Sequence, residues 1–271
     1  MPQTTRSVAS VVVVLGVLLA ALVAAPVANA AGSAGCGKAV TPGTFNRSIT
    51  VNGVKRTYLI AIPASVKPST PVPVIMGLHG GSDTAQNANR YMGLTNSYPA
   101  LYVYPQAPYW PEAGGVGWNV DPAGVDFPYF DALVAELKAK HCVDPARFFA
   151  AGKSNGGFMV NSLACYRPGM FRAIAPVAGG GPQTSSCRQG IAAMIVHGSA
   201  DQVVKIEAGR WSLEYWLHMS EYQGTDPIAT KPAPCVRWPG VTRRVYWCQH
   251  SGAHIWPTWA GGGIRGFFLT V

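Results

Sequence analysis

The sequence predicts an α/β fold, a mainly parallel sheet with helices on both faces. Three observations predict it. Continuous apolar runs (Val72 to Leu78, Leu101 to Pro105, Ala173 to Ala178 and Ile191 to Val196) read as strands buried on both faces. Segments with helical spacing of apolar residues alternate with them, which favours parallel pairing through crossovers. Between one strand-like run and one helix-like run stands a serine framed by glycines, Gly152-Lys153-Ser154-Asn155-Gly156-Gly157.

Taken in order, residues 1 to 30 carry Arg6, an apolar run from Val8 to Val23 and small residues ending Ala28-Asn29-Ala30. That pattern predicts a secretory signal peptide with cleavage near Ala31. The alternative, a membrane anchor, needs about 20 apolar residues, and the run is shorter. Residues 31–271 are then expected to form a single catalytic domain. Ala31 to Thr44 is rich in Gly, Ala, Ser and Pro and reads as irregular. Asn46-Arg47-Ser48 is a glycosylation sequon. Ser48 to Gly53 and Val54 to Pro63 alternate around Asn52-Gly53, a hairpin signal. After the run Val72 to Leu78 comes a glycine-rich turn, His79-Gly80-Gly81-Ser82. Ala85 to Leu94 reads as a helix, and Leu101 to Pro105 as the next strand. Residues 106–122 form a long loop holding Trp110 and Trp118, a length that often carries a binding surface. Val125, Phe127, Phe130, Val134 and Leu137 fall at helical spacing and read as core. A strand is expected over Arg244 to Cys248 and a last helix over Trp259 to Leu269.

The net charge is +9, with basic residues scattered. No basic run or recognition motif points to nucleic acid, whereas attraction to acidic polysaccharide fits the sign. Six cysteines behind a signal peptide read as disulfides. No C-x-x-C pair suggests a metal site. Cys235 and Cys248 flank a short turn-rich segment and are expected to pair. The other four allow three connectivities. Of these, Cys142–Cys165 is favoured, because both should end helices at the same edge of the sheet.

The G-x-S-x-G turn between strand and helix has the form of a nucleophile elbow. The turn forces the serine into a strained conformation, and only glycine leaves room for strand and helix to pass beside it. The hydroxyl of Ser154 then stands at the carboxyl edge of the sheet, at a helix N-terminus that favours negative charge. Nucleophilic catalysis needs a base and an acid that orients it, in chain order Ser, Asp, His. Asp201 follows the strand ending at Val196 and fits the acid. His254 follows the strand over Arg244 to Cys248 and fits the base; His250 is its competitor. The small residues Gly252 and Ala253 favour His254 by letting the backbone come close. His79 and His197 are expected to buttress the carboxyl edge, and His141 and His218 to lie on helices.

The stretches Gly35-Cys36-Gly37-Lys38, Leu78-His79-Gly80, Tyr104-Pro105-Gln106, Cys142-Val143-Asp144 and Leu163-Ala164-Cys165 join this constellation, as do His197-Gly198 and Trp247-Cys248. With the elbow, they resemble the secreted feruloyl esterases of carbohydrate esterase family 1, types C and D. That family is related to acetylxylan esterases and short-chain polyhydroxybutyrate depolymerases. The resemblance spans nearly all of residues 31–271. It implies an α/β-hydrolase fold and a triad of Ser154, Asp201 and His254. It also implies an oxyanion hole from the backbone N–H groups of Gly81 and Asn155. No metal or cofactor is implied. The implied activity is hydrolysis of feruloyl esters of plant cell-wall arabinoxylan through an acyl-enzyme, by an extracellular monomer with no nucleic-acid or membrane partner. Acetylated xylan and polyhydroxybutyrate are the alternative substrates, and a non-catalytic wall-binding protein is the alternative of another class. The chain departs from the family in four places, one of them a last helix unusually rich in glycine at Gly261-Gly262-Gly263. Gly81 stands where many relatives have Arg, Gly252-Ala253-His254 replaces Gly-Gly-His, and no further cysteine lies between Cys235 and Cys248.

Overall fold

The structure is a computed structural model that describes residues 1–3, 32–111, 114–183 and 186–271. The expected signal peptide therefore lies, but for its first three residues, outside the described residues. The described chain folds around one ten-stranded sheet. A hairpin opens it: β1 (Gly43–Val51) pairs antiparallel with β2 (Val54–Ile62) through Asn52-Gly53, both at positive φ. β1 begins five residues before the alternation at Ser48 predicts, because an edge strand needs only backbone partners to continue.

The central strands are β3 (Val72–Leu78), β4 (Leu101–Pro105), β7 (Val143–Lys153), β8 (Ala173–Val177), β9 (Ala192–Gly198) and β12 (Val245–His250). They run parallel in the order β4-β3-β7-β8-β9-β12. Two short strands, β10 (Ile228–Ala229) and β11 (Val236–Arg237), close the far edge. Within the long loop, β5 (Tyr109–Trp110) and β6 (Gly115–Val116) form a separate antiparallel ribbon. Two-residue strands leave no periodic trace, so the sequence shows only the loop.

Side chains alternate across the pleat, and the two cores follow that alternation. On one face Val74, Met76, Phe148, Ala150, Ala193 and Ile195 pack under α2 (Asp126–Lys140), α3 (Asn155–Tyr166) and α4 (Ile206–His218). On the other Ile75, Phe149, Ala151, Met194 and Val196 pack under α1 (Ala85–Tyr91) and α5 (Ala260–Leu269). Phe149 and Phe268 stack there at 4.9 Å between ring centroids. At about 25 cal/mol per Å² of apolar surface, this two-sided burial is the main driving force for the fold.

Three disulfides join Cys36 to Cys142, Cys165 to Cys187 and Cys235 to Cys248. The expected Cys142–Cys165 bond is therefore incorrect. The irregular N-terminal segment docks on the turn between α2 and β7. There Ser33 N–H donates to the Val143 carbonyl and Gly35 N–H to the Lys138 carbonyl. That docking brings Cys36 to Cys142 and leaves Cys165, near the end of α3, to the loop before β9. A segment without periodicity does not reveal where it docks.

Candidate active site

The elbow is built by close approach. A Cβ on Gly152 would lie 2.1 Å from the Gly156 carbonyl oxygen, and one on Gly156 would lie 2.4 Å from the Leu78 carbonyl oxygen. Between them Ser154 sits at φ 54°, ψ −120°, capping α3 as β7 ends. A non-glycine residue persists in such a conformation only where the surroundings over-determine it. The Ser154 N–H donates to the Val177 carbonyl, and its own carbonyl accepts from Phe158 N–H.

Parallel neighbours place their following loops on one edge of the sheet. Ser154 follows β7, Asp201 follows β9 and His254 follows β12, and β7, β8, β9 and β12 are consecutive. The last two loops are laced together: Ser199 N–H donates to the His250 carbonyl and Ala200 N–H to the Gly252 carbonyl. This close approach requires glycine at the end of β9, since a Cβ on Gly198 would lie 2.2 Å from the Gly252 carbonyl oxygen. His254 Nδ1 lies 2.7 Å from Asp201 Oδ2. The Asp201 side chain is fully buried and the His254 side chain 17% exposed. The other oxygen of Asp201, Oδ1, accepts from Val203 and Val204 N–H, each at 2.9 Å. Burial works to raise the Asp201 pKa. The hydrogen bond from His254 and those from the Val204 and Val203 N–H groups outweigh it and hold the carboxyl below its ordinary value.

The competing histidine faces elsewhere. His250 Nδ1 accepts from Gly252 N–H, and its buried Nε2 has no partner among the described residues. Burial, and then the neighbouring His197, lower its pKa. His197 is wholly buried behind the acid; its Nε2–H donates to the Val204 carbonyl at 2.9 Å and stands 3.6 Å from Asp201 Oδ2. His79 is equally buried. Ala107 N–H donates to its Nε2, so the ring proton sits on Nδ1 and is donated to the Gly80 carbonyl. Burial lowers its pKa, in keeping with a neutral ring. This bond fixes the turn that carries Gly81, and Ser82 N–H adds a bond to the Val116 carbonyl. His141 caps the end of α2 and His218 ends α4.

Two groups not singled out from the sequence tie the long loop to this edge. The Asn155 side chain accepts from Trp118 N–H and donates back to the Trp118 carbonyl. Asp126, buried against Arg56, accepts from Asn119 N–H through its second oxygen. Burial raises the Asp126 pKa, against the pull of Arg56. Trp118 is itself buried, its indole N–H donating to the His79 carbonyl, so it serves the scaffold. An acid at the first turn of a predicted helix was the available signal for Asp126; nothing local marked Asn155's side chain. Among the described residues no three His, Cys, Asp or Glu side chains group as metal ligands.

Comparison with known proteins agrees with this architecture. Residues 118–181, which span the elbow, match the prolyl oligopeptidase family. The chain is 33% identical over 257 residues to feruloyl esterase C of Emericella nidulans, covering 89% of this chain and 90% of that one. It is 30% identical to feruloyl esterase D of Neurospora crassa, covering 88% and 86%. The acetyl xylan esterase from Aspergillus awamori shares the fold, with a TM-score of 0.67 at 17% identity over 84% of this chain and all of that one. An α/β-hydrolase sheet with these relatives defines the class: a carboxylic ester hydrolase. Within that class, the chain belongs to the feruloyl esterase family of types C and D.

Proposed function

We propose that the protein is an exported serine esterase that releases ferulate and related hydroxycinnamates from arabinoxylan through an acyl-enzyme. The observation that carries the reading is the 2.7 Å contact between His254 Nδ1 and Asp201 Oδ2. It fixes the ring proton on Nδ1 and leaves Nε2 as a base on the edge that carries Ser154. Nε2 takes the Ser154 proton as Oγ attacks the ester carbonyl. The N–H groups of Asn155 and Gly81 hold the oxyanion, the first reinforced by the α3 N-terminus. The intermediate collapses, and the alcohol departs with the proton from His254. Water then attacks the acyl-enzyme with the same base and frees the acid. The relatives named feruloyl esterase support the acyl group. The apolar run before Ala31 and the absence of a free cysteine among the described residues support export.

On methyl ferulate, Ser154→Ala should lower kcat by about a million-fold. Retained turnover would remove Ser154 from the mechanism. Release from feruloylated arabinoxylan should outpace release from acetylated xylan and polyhydroxybutyrate. Faster acetate release would overturn the acyl preference and leave the ester hydrolase class intact.

A further inference from the structure

The carboxyl edge of the sheet holds the candidate triad; the opposite edge holds two adjoining clefts of about 200 and 250 Å³. Arg172 and Arg243 line both. Arg172 immediately precedes β8, and Arg243 lies two residues before β12, so both belong to the amino ends of central strands. Both are exposed, and neither side chain has a hydrogen-bond or ion-pair partner among the described residues. Arg244, beside them, donates to the Thr270 carbonyl. No Asp or Glu side chain lines either cleft; Val271, whose main-chain carboxyl ends the given sequence, lines the second. Asp144, next to the cleft-lining Pro145, is buried with Oδ1 turned onto the Ala146 N–H.

We infer that this edge is a second binding site, for the carboxylate groups of a uronate-bearing polysaccharide. Two unpaired guanidiniums in shared concave surface are suited to forked hydrogen bonding of planar carboxylates. Successive clefts sharing both arginines fit a repeating acidic polymer better than a single small anion. The net charge of +9 adds long-range attraction. A polymer held there leaves the opposite, ester-cleaving edge open, so the site would tether the enzyme to acidic matrix without competing for the active centre.

The test compares the full-length wild type with Arg172→Gln/Arg243→Gln in affinity electrophoresis through polygalacturonate, glucuronic-acid-substituted xylan and neutral arabinoxylan. Lys55→Gln/Lys67→Gln, exposed and outside both clefts, removes the same charge. The arginine variant should bind the uronate polymers about tenfold more weakly and with a shallower dependence on salt, with unchanged turnover of methyl ferulate. The lysine variant should bind nearly as the wild type does. Retardation by polygalacturonate alone, or by the substituted xylan alone, identifies the source of the carboxylate. Equal losses in both variants would reduce the effect to net charge and overturn the site. So would equal retention by neutral arabinoxylan, equal affinity for single-stranded DNA, or no retention of the wild type.

Discussion

Asp201 sits where burial and hydrogen bonding pull its proton affinity in opposite directions, and hydrogen bonding wins. A carboxyl depressed on folding stabilises the native state above its unfolded value of about 3.9 and loses that contribution as pH falls through the lower folded value. The urea midpoints of wild type and Asp201→Asn should therefore differ at pH 6 and begin to converge only as pH falls below about 4. Turnover in the variant should drop by roughly 10⁴, because an amide no longer selects the proper tautomer of His254. A midpoint difference that persists undiminished into acid would show that the carboxylate charge is not the stabilising feature. At this scale, the candidates Ser154, Asp201 and His254 could be picked out because each follows a strand that its own apolar run reveals. The second tier could be read only in part: His197 was expected to buttress this edge, but its route to Asp201 was not. His197 reaches Asp201 mainly through the Val204 carbonyl, whose own N–H binds Oδ1. Asn155 reaches across 37 residues to Trp118. Those contacts exist only once loops dock.

The element that defines the site is the turn from β7 to α3. Its glycines are required by backbone, not by flexible side chains: a Cβ at position 156 would meet the Leu78 and His79 carbonyl oxygens at 2.4 and 2.5 Å. Backbone in a central strand has nowhere to move. Gly156→Ala should cost about 3 kcal/mol in urea unfolding, by displacing α3 from β3, and should depress kcat with it. A loss below about 0.5 kcal/mol would mean the strand and helix pass with more slack than these distances allow. The elbow was legible because glycine spacing and the flanking apolar runs are both sequence properties. The β5–β6 ribbon was not. Its register is set by contacts such as the Trp110 indole N–H to the Gly117 carbonyl, and nothing periodic announces them.

Across the whole molecule, the candidate triad and the N-terminal crosslink lie at opposite edges of one sheet. The triad candidates crown the carboxyl edge. The Cys36–Cys142 bond pins the N-terminal segment at the opposite edge, just before β7 begins. The sheet could be anticipated because strands buried on both faces carry unbroken apolar runs. The bridge could not, since the segment bearing Cys36 has no pattern that reports its docking. A crosslink spanning 106 residues restrains the unfolded chain more than one spanning 22. Loop-closure entropy puts the former at about 4 to 5 kcal/mol and the latter near 3. Cys36→Ala/Cys142→Ala should thus lower the unfolding midpoint more than Cys165→Ala/Cys187→Ala. Because the longer bridge lies away from the carboxyl edge, its removal should leave kcat on methyl ferulate within about twofold, measured well below the midpoint. An equal or smaller stability loss from the long bridge would show that Ser33 and Gly35 hold the segment through their backbone bonds alone. A large fall in kcat at full folding would show that the two edges are mechanically coupled through the central strands.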